Sequence, residues 1–538
     1  MAMSKLNEDR CRKLARIREL GFDPYGGRFE GHLPLREARE RFEGKPEGDA
    51  APRCLIAGRI VFLRDIGKLI FLRLRDWSGE LQVGLSKKQL EESWELIKQF
   101  EAGDIIAAEG EMGLTKTGEL TVWAEKVRIL SKALNPPPEK WHGLTDVEIR
   151  YRQRYVDLFS NPEVMRTFIL RSKIVDAIRA FMIGKGYVEV ETPMMQAIAG
   201  GAAAKPFVTH HNALDIDLYL RIAPELYLKR LLVGGMEKVF ELNRNFRNEG
   251  ISPRHNPEFT MLEAYEAYGS WETMADLVEE LVCHVAQTLL GTLTIEHKND
   301  EGETVKTINL QRPWRRVRMD ELVAEFSGTK LKHEWRFDKR DIREAAPELW
   351  RWMNEAAAGS GAEALELVLG AAVLRPLVAK LPRLTPAEQL VEVYEKLIEP
   401  TLIDPCFVTH VPSVTIPLAR ENRDDPYFAD VYELAINGQE ISPGYSELND
   451  PEVQARHFLH QVGDEEERQK IDEDFLESLR YGMPPAGGMG LGIDRLIMVL
   501  TGAQSIRDVI LFPLQRPRIE REQGEPAETP EETQEPQP

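Results

Sequence analysis

The stretch from Lys238 to Tyr268 constrains the fold more than any other part of the chain, because its alternation predicts two strands joined by a loop. The first strand has an apolar face made of Phe240, Leu242 and Phe246. Its other face is polar and carries Glu241, Asn243, Asn245 and Arg247. The loop, residues 248–256, is rich in turn residues and cations. The returning strand has one face made of Phe259, Met261, Glu263 and Tyr265.

Two side chains of this segment suit a nucleotide. Arg247 supplies a planar fork for a phosphate, and Phe259 supplies a surface on which a base can stack. An edge hairpin with solvated charges is the alternative, and for Arg247 alone it would be the better interpretation. The whole string FRNEGISPRHNPEFTMLEAY, residues 246–265, resembles the second signature motif of class II aminoacyl-tRNA synthetases in its lysine-specific form. That resemblance implies that Glu249 and His255 bind ATP together with Arg247 and Phe259.

The composition limits the class of protein. The chain has 538 residues, of which 42% are hydrophobic and 29% charged, as expected for a globular protein of several domains. We find neither an apolar run long enough to cross a membrane nor a secretory leader. The four cysteines lie far apart without a Cys-x-x-Cys motif, which favours neither a zinc site nor a disulfide framework and is typical of the cytoplasm. The net charge of −20 argues against nucleic-acid binding by the whole surface, although a local basic face remains open.

The first part of the chain, residues 1–52, is predicted to be a helical extension. An amphipathic helix runs from Lys5 to Gly21. Its polar side is basic and carries Arg10, Arg12, Lys13, Arg16 and Arg18. This cluster is either a solvated face or a contact to an RNA backbone, and the single sign of its charges modestly favours RNA.

Residues 53–131 contain five strand-like segments, with a helix predicted over 87–101, and this order is typical of an OB-fold barrel. In the second segment Ile70, Leu72 and Leu74 point one way, whereas Phe71, Arg73 and Arg75 point the other. An aromatic ring among arginines suits single-stranded nucleic acid, although exposed arginines on a barrel are often only solvated. The segment resembles the anticodon-binding domain of lysyl-, aspartyl- and asparaginyl-tRNA synthetases. Arg64, Phe71 and Gln82 align with the anticodon-reading positions of that family.

A proline run opens residues 132–160, which we predict to be a linker before a catalytic domain at 161–516. A long helix is predicted over 165–185 and leads into GYVEVETPMM. This segment resembles the first class II motif, and the resemblance implies a homodimer. The alternative is that the helix and strand pack internally. Gly201 and Glu225 match the family positions that hold the substrate α-ammonium. His210 and His211 lack a cysteine partner nearby, so a structural role is favoured over a metal site.

Past Tyr268 the sequence predicts a helix to Leu290 and a hairpin over 294–310. Residues 331–382 match the family pattern poorly and read as a helical insertion interrupted by Gly359, Ser360 and Gly361. Residues 517–538 are rich in proline, glutamate and glutamine, and we expect a disordered acidic tail.

Asn437-Gly438 predicts a two-residue hairpin turn that pairs Ala435 with Glu440 and Glu433 with Ser442. Glu433 and Glu440 would then lie diagonally on one face, about 7–8 Å apart, within reach of one hard cation. Two like charges on a solvated hairpin are the alternative. The family resemblance implies that both bind magnesium.

The resemblance extends through the residues that follow the hairpin. It implies that Tyr445 packs on the lysine stem and that Glu447 pairs with the ε-ammonium, beside Glu263 and Tyr265. Pro443 stands where the family usually has asparagine, so one contact to the substrate carboxylate is missing or replaced. GGMGLGIDRLIMVL, residues 487–500, resembles the third class II motif, in which Arg495 stacks adenine against Phe259.

The resemblance to lysyl-tRNA synthetases of bacterial type implies an α+β protein: an OB barrel, then an antiparallel sheet flanked by helices. It also implies that ATP and Mg²⁺ activate L-lysine for transfer to tRNA(Lys). A synthetase for aspartate or asparagine is one alternative, but its pocket should present cations or amides to the side chain. The second alternative is a non-catalytic or substrate-altered paralogue, which loss of ATP ligands or of the barrel would mark.

Overall fold

A computed structural model describes residues 5–43, 50–138, 144–299, 301–358, 371–459 and 471–517. The expected acidic tail from 518 onward and the expected break at 359–361 lie outside the described residues. No helix among the described residues is both long and apolar enough to cross a membrane.

The described N-terminal part folds as two helices and a closed barrel with the strand order β1-β2-β3-β5-β4. The helices are α1 (Lys5–Glu19) and α2 (Leu35–Glu43). The strands are β1 (Arg53–Asp65), β2 (Leu69–Arg75), β3 (Glu80–Ser86), β4 (Ile105–Leu114) and β5 (Leu120–Ser131). Ile70, Leu72 and Leu74 are buried in the barrel, as the alternation predicts.

The prediction of a helix over 87–101 is wrong in its length. Only α3 (Trp94–Ile97) is helical, and turns flank it. Leu90, Trp94 and Phe100 are all buried. The apolar side chains of this segment therefore cap the barrel through turns, because burial outweighs helix propensity over so short a stretch.

Residues expected in the linker instead form α4 (Val147–Arg152) and α5 (Arg154–Ser160). Arg154 is fully buried, pairs with Asp157 and donates to the carbonyls of Arg507 and Leu511. This connection anchors both short helices to the far end of the chain. From the barrel, Arg75 Nη1 donates to the Phe159 carbonyl at 2.7 Å, and Arg59 lies over the Phe159 ring.

The part of the chain that follows the barrel and the two short helices is built on a mixed sheet whose described strands run β14-β15-β16-β17-β18-β11-β10-β6. Its strands are β6 (Val188–Glu189), β10 (Lys238–Phe246), β11 (Glu258–Ala267), β14 (Arg315–Arg318), β15 (Cys406–Thr409), β16 (Val431–Ile436), β17 (Gln439–Ser446) and β18 (Ala486–Gly492). Two smaller sheets contain β7 (Met195–Gln196), β8 (Val208–His211) and β9 (Ile216–Leu220), and β12 (Thr294–Lys298) and β13 (Thr304–Asn309). This arrangement confirms the predicted α+β class.

Helices cover the sheet and enclose its core. They are α6 (Pro162–Gly184), α7 (Glu225–Val233), α8 (Trp271–Leu290), α9 (Met319–Thr329), α10 (Ile342–Ala345), α11 (Pro347–Ala357), α12 (Ala371–Lys380), α13 (Pro386–Val393), α14 (Pro451–Leu459), α15 (Glu473–Arg480), α16 (Ile493–Thr501) and α17 (Ile506–Val509). Ile178 of α6, Val282 of α8 and Leu496 of α16 belong to one buried cluster beneath the sheet. α10, α11 and α12 belong to the expected insertion and pack with α9 and α13 around a second core.

Candidate functional site

The paired strands β10 and β11 form the floor of the site. Their register sets Glu241 opposite Glu263 and Asn245 opposite Phe259, so the polar faces read from the sequence coincide. Glu263 and Asn245 are buried, which is unusual for polar side chains unless they are paired or face a ligand. Arg247 and Phe259 lie at the open end of this face.

A cavity opens at that end between β11, β17 and α16. Its lining includes the expected ATP-binding residues Arg247, Glu249, His255, Phe259 and Arg495. Arg495 Nη1 donates to the Glu440 carbonyl at 2.7 Å, and its Nη2 lies 3.2 Å from His255 Nε2. Three segments distant in sequence therefore meet around one cavity with two guanidinium groups and one aromatic ring. Such a lining suits a nucleotide.

Electrostatics at this cavity favour a neutral histidine. Burial lowers the pKa of His255, and the positive charges of Arg495 and Arg247 lower it further. Burial also lowers the pKa of Arg247, although Glu249, Glu263 and Glu440 raise it. A guanidinium has so high an ordinary pKa that it stays protonated here. The two arginines thus carry the positive charge that faces a phosphate.

The expected lysine-binding residues form a largely buried polar cluster, the amino-acid pocket. Gly201 has a φ of +89°, and a Cβ there would lie 3.0 Å from the Glu225 Cβ, so the position favours glycine. Gly488 makes room for Glu447, because a Cβ at Gly488 would lie 1.9 Å from Glu447 Oε1. Tyr265 donates from its hydroxyl to Glu263 Oε2 at 3.4 Å. Glu225, Glu263 and Glu447 are all buried.

The carboxylates of this pocket share a cation that the sequence did not suggest. Lys229 Nζ lies 2.7 Å from Glu225 Oε1 and 2.5 Å from Glu447 Oε2. Sequence reasoning missed Lys229, although the four-residue spacing of Glu225 and Lys229 on α7 was a signal that they share a helix face. Its contact with Glu447 joins α7 to a residue more than two hundred positions away, which no local pattern encodes.

Burial strongly shifts these groups. It raises the pKa of Glu263 to about 8, and Glu225 adds to that effect. It also raises the pKa of Glu447 to about 8, although Lys229 lowers it. Burial alone would lower the pKa of Lys229, but Glu225 and Glu447 raise it. A bound ammonium would stabilise the ionised carboxylates, because an opposite charge nearby favours the charged form.

The pairing predicted for the hairpin β16–β17 is partly wrong. Ala435 does pair with Glu440, but Glu433 faces Pro443 and Leu434 faces Ser442. The register shifts between Leu434 and Ala435, which leaves Ile441 as the extra residue of a bulge. A bulge depends on the tertiary surroundings of a strand and cannot be read from the turn residues.

The expected metal-binding residues Glu433 and Glu440 remain electrostatic neighbours. Burial raises the pKa of Glu433 well above its ordinary value, and the charges of Glu440, Glu395 and Glu399 raise it further. Crowded carboxylate oxygens suit Mg²⁺, which prefers oxygen ligands. Among the residues that the structure describes, no group of three or more acidic, histidine or cysteine side chains could hold a metal alone. A cation at this pair would thus need further oxygens, such as those of a phosphate.

The barrel places the expected anticodon residues on one outer face. Arg64 pairs with Phe71, and Gln82 pairs with Arg73. The Phe71 ring meets Trp123 edge-on, with centroids 5.9 Å apart, and Gln82 Nε2 donates to Thr121 Oγ1 at 2.8 Å. Sequence reasoning missed Trp123, whose place beside Phe71 follows from the parallel pairing of β3 with β5.

Several basic residues considered for RNA binding have structural partners instead. Arg75 pairs with Glu80 and donates to carbonyls of α5. Arg10 is buried and donates to the carbonyls of Ala102 and Ala133 at 2.9 and 3.1 Å. Lys13 pairs with Glu101 at 2.9 Å. These contacts correct the assignment of Arg10 and Arg75 to RNA-facing surfaces. His210 lies 2.9 Å from Asp217 across β8–β9, in line with the hydrogen-bonding role expected of it.

Comparisons with known proteins agree with this geometry. The family described as tRNA synthetases class II (D, K and N) matches residues 146–516, and the OB-fold nucleic acid binding domain family of tRNA anticodon type matches residues 54–130. The chain therefore belongs to the class II tRNA synthetases of the D, K and N group.

Individual relatives narrow the comparison. The chain is 47% identical to a lysine--tRNA ligase of Carboxydothermus hydrogenoformans over 526 residues, which are 96% of this chain and 99% of that protein. It is 48% identical to a lysine--tRNA ligase of Pelotomaculum thermopropionicum over 96% of each chain. A lysine--tRNA ligase of Xanthomonas oryzae is 47% identical over 86% of each chain.

Proposed function

We propose that this chain activates L-lysine with ATP and transfers the lysyl group to the 3′ end of tRNA(Lys). The observation that carries the proposal is the buried cluster of Glu225, Glu263 and Glu447. Glu225 acts electrostatically on both other carboxylates, and Glu263 also interacts with Arg247 of the nucleotide cavity. Buried carboxylates are costly unless a cation meets them. Lysine brings two ammonium groups, and relatives of nearly full length are lysine--tRNA ligases.

The pocket argues against aspartate and asparagine as substrates. Their side chains would need a free cation or amide. The buried Lys229 meets Glu225 and Glu447, and it also donates to the Leu418 carbonyl at 3.2 Å. Two hydrogen bonds and one ion pair therefore already engage its ammonium. Glu263 and Tyr265 of β11, which adjoin this cluster, present oxygens, which suit an ammonium.

In the first step, an α-carboxylate oxygen of lysine attacks the α-phosphorus of ATP, and pyrophosphate leaves as lysyl-adenylate forms. Arg247 neutralises charge on the phosphate, Phe259 and Arg495 hold the adenine, and Glu249 and His255 line the same cavity. Gly201 and Glu225 hold the α-ammonium, whereas Tyr445 and Glu447 hold the side chain. The chemistry rests on positioning and electrostatics, since no side chain among the described residues stands out as a general base.

Glu433 and Glu440 would hold magnesium against the phosphates, which would neutralise charge as pyrophosphate leaves. The crowding of carboxylates around Glu433 supports this assignment. Pro443 lies opposite Glu433 and lines the nucleotide cavity, so it borders the place where the substrate carboxylate meets ATP.

In the second step, a hydroxyl of the terminal ribose of tRNA attacks the lysyl carbonyl carbon, and AMP leaves. Arg64, Phe71 and Gln82 would read the anticodon on the outer face of the barrel. Phe71 presents a ring beside Trp123, so bases could stack there. Such an activity belongs to translation, which favours the cytoplasm.

A homodimer through the first motif is supported by an apolar surface around β6 and β7. Ile183 and Val188 are 55% and 51% exposed, and Met194 and Met195 are 42% and 58% exposed. Apolar side chains grouped in this way mark an interface more often than a solvated surface. A second copy of the chain is the partner that the resemblance implies.

Pyrophosphate exchange tests the proposal. The full chain, with ATP and each of the twenty amino acids in turn, should exchange pyrophosphate with lysine far better than with any other. Lysine should then be transferred to tRNA(Lys). Stronger exchange with aspartate or asparagine would refute lysine activation, and binding of ATP without any exchange would favour the paralogue.

A further inference from the structure

The ion pairs of Lys229 connect two ends of the amino-acid pocket. Glu225 lies at the start of α7, and Glu447 lies just beyond β17. The side chains of Lys229 and Glu447 are 0% exposed, and that of Glu225 is 7% exposed. The link that Lys229 makes between the two carboxylates is therefore shielded from solvent.

The ion pair between Lys229 and Glu447 leaves hydrogen-bonding capacity unused on the carboxylate. Lys229 Nζ forms an ion pair with Glu447 Oε2 at 2.5 Å, and neither carboxylate oxygen of Glu447 has a hydrogen-bond partner among the described residues. Oε1 points along the space that Gly488 leaves open, beside the Tyr265 ring. The ion pair with Lys229 thus holds the carboxylate in place, while its hydrogen-bonding capacity stays available to a ligand.

The charges of the pocket balance only with Lys229 included. Glu225, Glu263 and Glu447 supply three negative charges when ionised, and Lys229 reduces the sum to two. Lysine brings two ammonium groups, while its carboxylate is directed towards Arg247. Without Lys229, three buried carboxylates would face two ammonium groups, and one carboxylate would take up a proton.

We propose that Lys229 is a specificity-determining positioning residue, whose ammonium ties Glu225 to Glu447 and so fixes the spacing at which the pocket holds two substrate ammonium groups. The inference rests on the proposed function. Because the two carboxylates cannot move independently, a substrate whose ammonium groups are closer together satisfies one carboxylate and leaves the other unpaired. Lys229 therefore sets the discrimination between lysine and ornithine without touching the substrate.

Replacement by Met or Gln tests the role. Lys229→Met and Lys229→Gln should each raise the KM for lysine about 10- to 100-fold in pyrophosphate exchange. The KM for ATP and the kcat at saturating lysine should change little. The ratio of kcat/KM for lysine to that for ornithine should fall, because the spacing is no longer fixed.

The pH profile provides a readout that a structural role would not move. Glu447 interacts with Lys229 and Glu225 from α7, with Tyr265 from β11 and with Tyr445 from β17. Loss of the Lys229 charge makes Glu447 harder to ionise. The acid limb of kcat/KM for lysine should thus move to higher pH in both variants.

Lys132 offers a matched control in the barrel. Its buried ammonium also meets two carboxylates, Glu101 at 2.8 Å and Asp104 at 3.0 Å, and one carbonyl, that of Gln99 at 3.2 Å. Lys132→Met should lower the thermal midpoint as Lys229→Met does, yet leave the lysine KM and the acid limb at their wild-type values.

Two results would overturn the role of Lys229. One is a lysine KM, selectivity ratio and acid limb equal to those of the wild type in a folded Lys229 variant. The other is an equal loss for lysine and ATP, which would mean general damage. Failure of the wild-type chain to exchange pyrophosphate with lysine would instead refute the proposed function.

Discussion

The guanidinium carbon of Arg247 lies 5.1 Å from the centroid of the Phe259 ring. The two residues end adjacent strands of one sheet, so a cation and an aromatic face are held side by side at the mouth of the nucleotide cavity. Arg247 Nε is buried and lacks a hydrogen-bond partner among the described residues. A phosphate would satisfy this donor.

Arg247→Ala should reduce lysine-dependent pyrophosphate exchange by about 10²–10³ or more, since it removes a charge that stabilises the phosphate during the reaction. Arg244→Ala is the control, because Arg244 belongs to β10, which ends just before Arg247, and pairs at the surface with Glu258 at 3.4 Å. Near-normal exchange by a folded Arg247→Ala protein would refute this ATP site.

Phe71→Ala should raise the KM for tRNA by the equivalent of about 1–3 kcal/mol, the value of one stacked base. Exchange without tRNA should not change, because Phe71 lies on the barrel. Phe71→Tyr keeps the ring and should charge tRNA nearly normally. Equal damage to exchange and charging by Phe71→Ala would show that Phe71 only packs on Trp123.

Glu447→Gln should raise the KM for lysine steeply, because the loss of one side of a buried charge pair costs about 2–5 kcal/mol. The KM for ATP should stay close to that of the wild type. Glu452→Gln, a change at an exposed residue of α14, controls for the lost charge. Unchanged lysine binding by Glu447→Gln would remove the basis for lysine specificity.

Pro443→Asn should leave the preference for lysine over ornithine unchanged, because Pro443 lines the nucleotide cavity and faces Glu433 rather than Glu447. If Pro443→Asn changes the reaction, the change should appear in the KM values, because Pro443 borders the place where the substrate carboxylate meets ATP. Competition between lysine and ornithine in the exchange assay measures this, and an altered preference would relocate Pro443 to the side-chain end of the pocket.

Glu263→Gln should change the way in which thermal stability depends on pH. Burial raises the pKa of Glu263 to about 8 in the folded protein, above its unfolded value, so the native state binds the proton more tightly. Its contribution to stability is complete below the unfolded pKa and is lost as pH rises through about 8. Without lysine, the thermal midpoint of the variant should therefore gain on the wild type as pH rises from 5 to 8. A constant difference would contradict the shift.

Met195→Asp should convert a dimer into a monomer in sedimentation velocity, because it places a charge in the exposed apolar surface around β7. Tyr481→Asp is the control, since Tyr481 is also exposed, at 81%, but follows α15. A monomeric wild-type chain, or an undisturbed Met195→Asp dimer, would refute the proposed interface.

Strand alternation predicted much of this fold. The burial of Leu72 and the shared face of Glu241 and Glu263 follow from a period of two, which is a local property. Lys229 and Arg75 could not be placed in this way, because their partners are distant in sequence. The register shift that sets Pro443 opposite Glu433 could not be predicted from the sequence either. An added bulge residue leaves the hydrophobic pattern and the turn signal unchanged.

The bulge at Ile441 has a consequence for how this hairpin can vary. Neighbouring residues of a strand face opposite ways, so one residue more or fewer between Glu440 and Ser442 would turn Pro443 and Tyr445 away from the face that carries Glu440. Length changes should thus be far less acceptable here than in the exposed hairpin β12–β13, which also carries a register shift but lies apart from the cavity. Among functional variants of this chain, insertions and deletions should accumulate in β12–β13 and be absent from β16–β17.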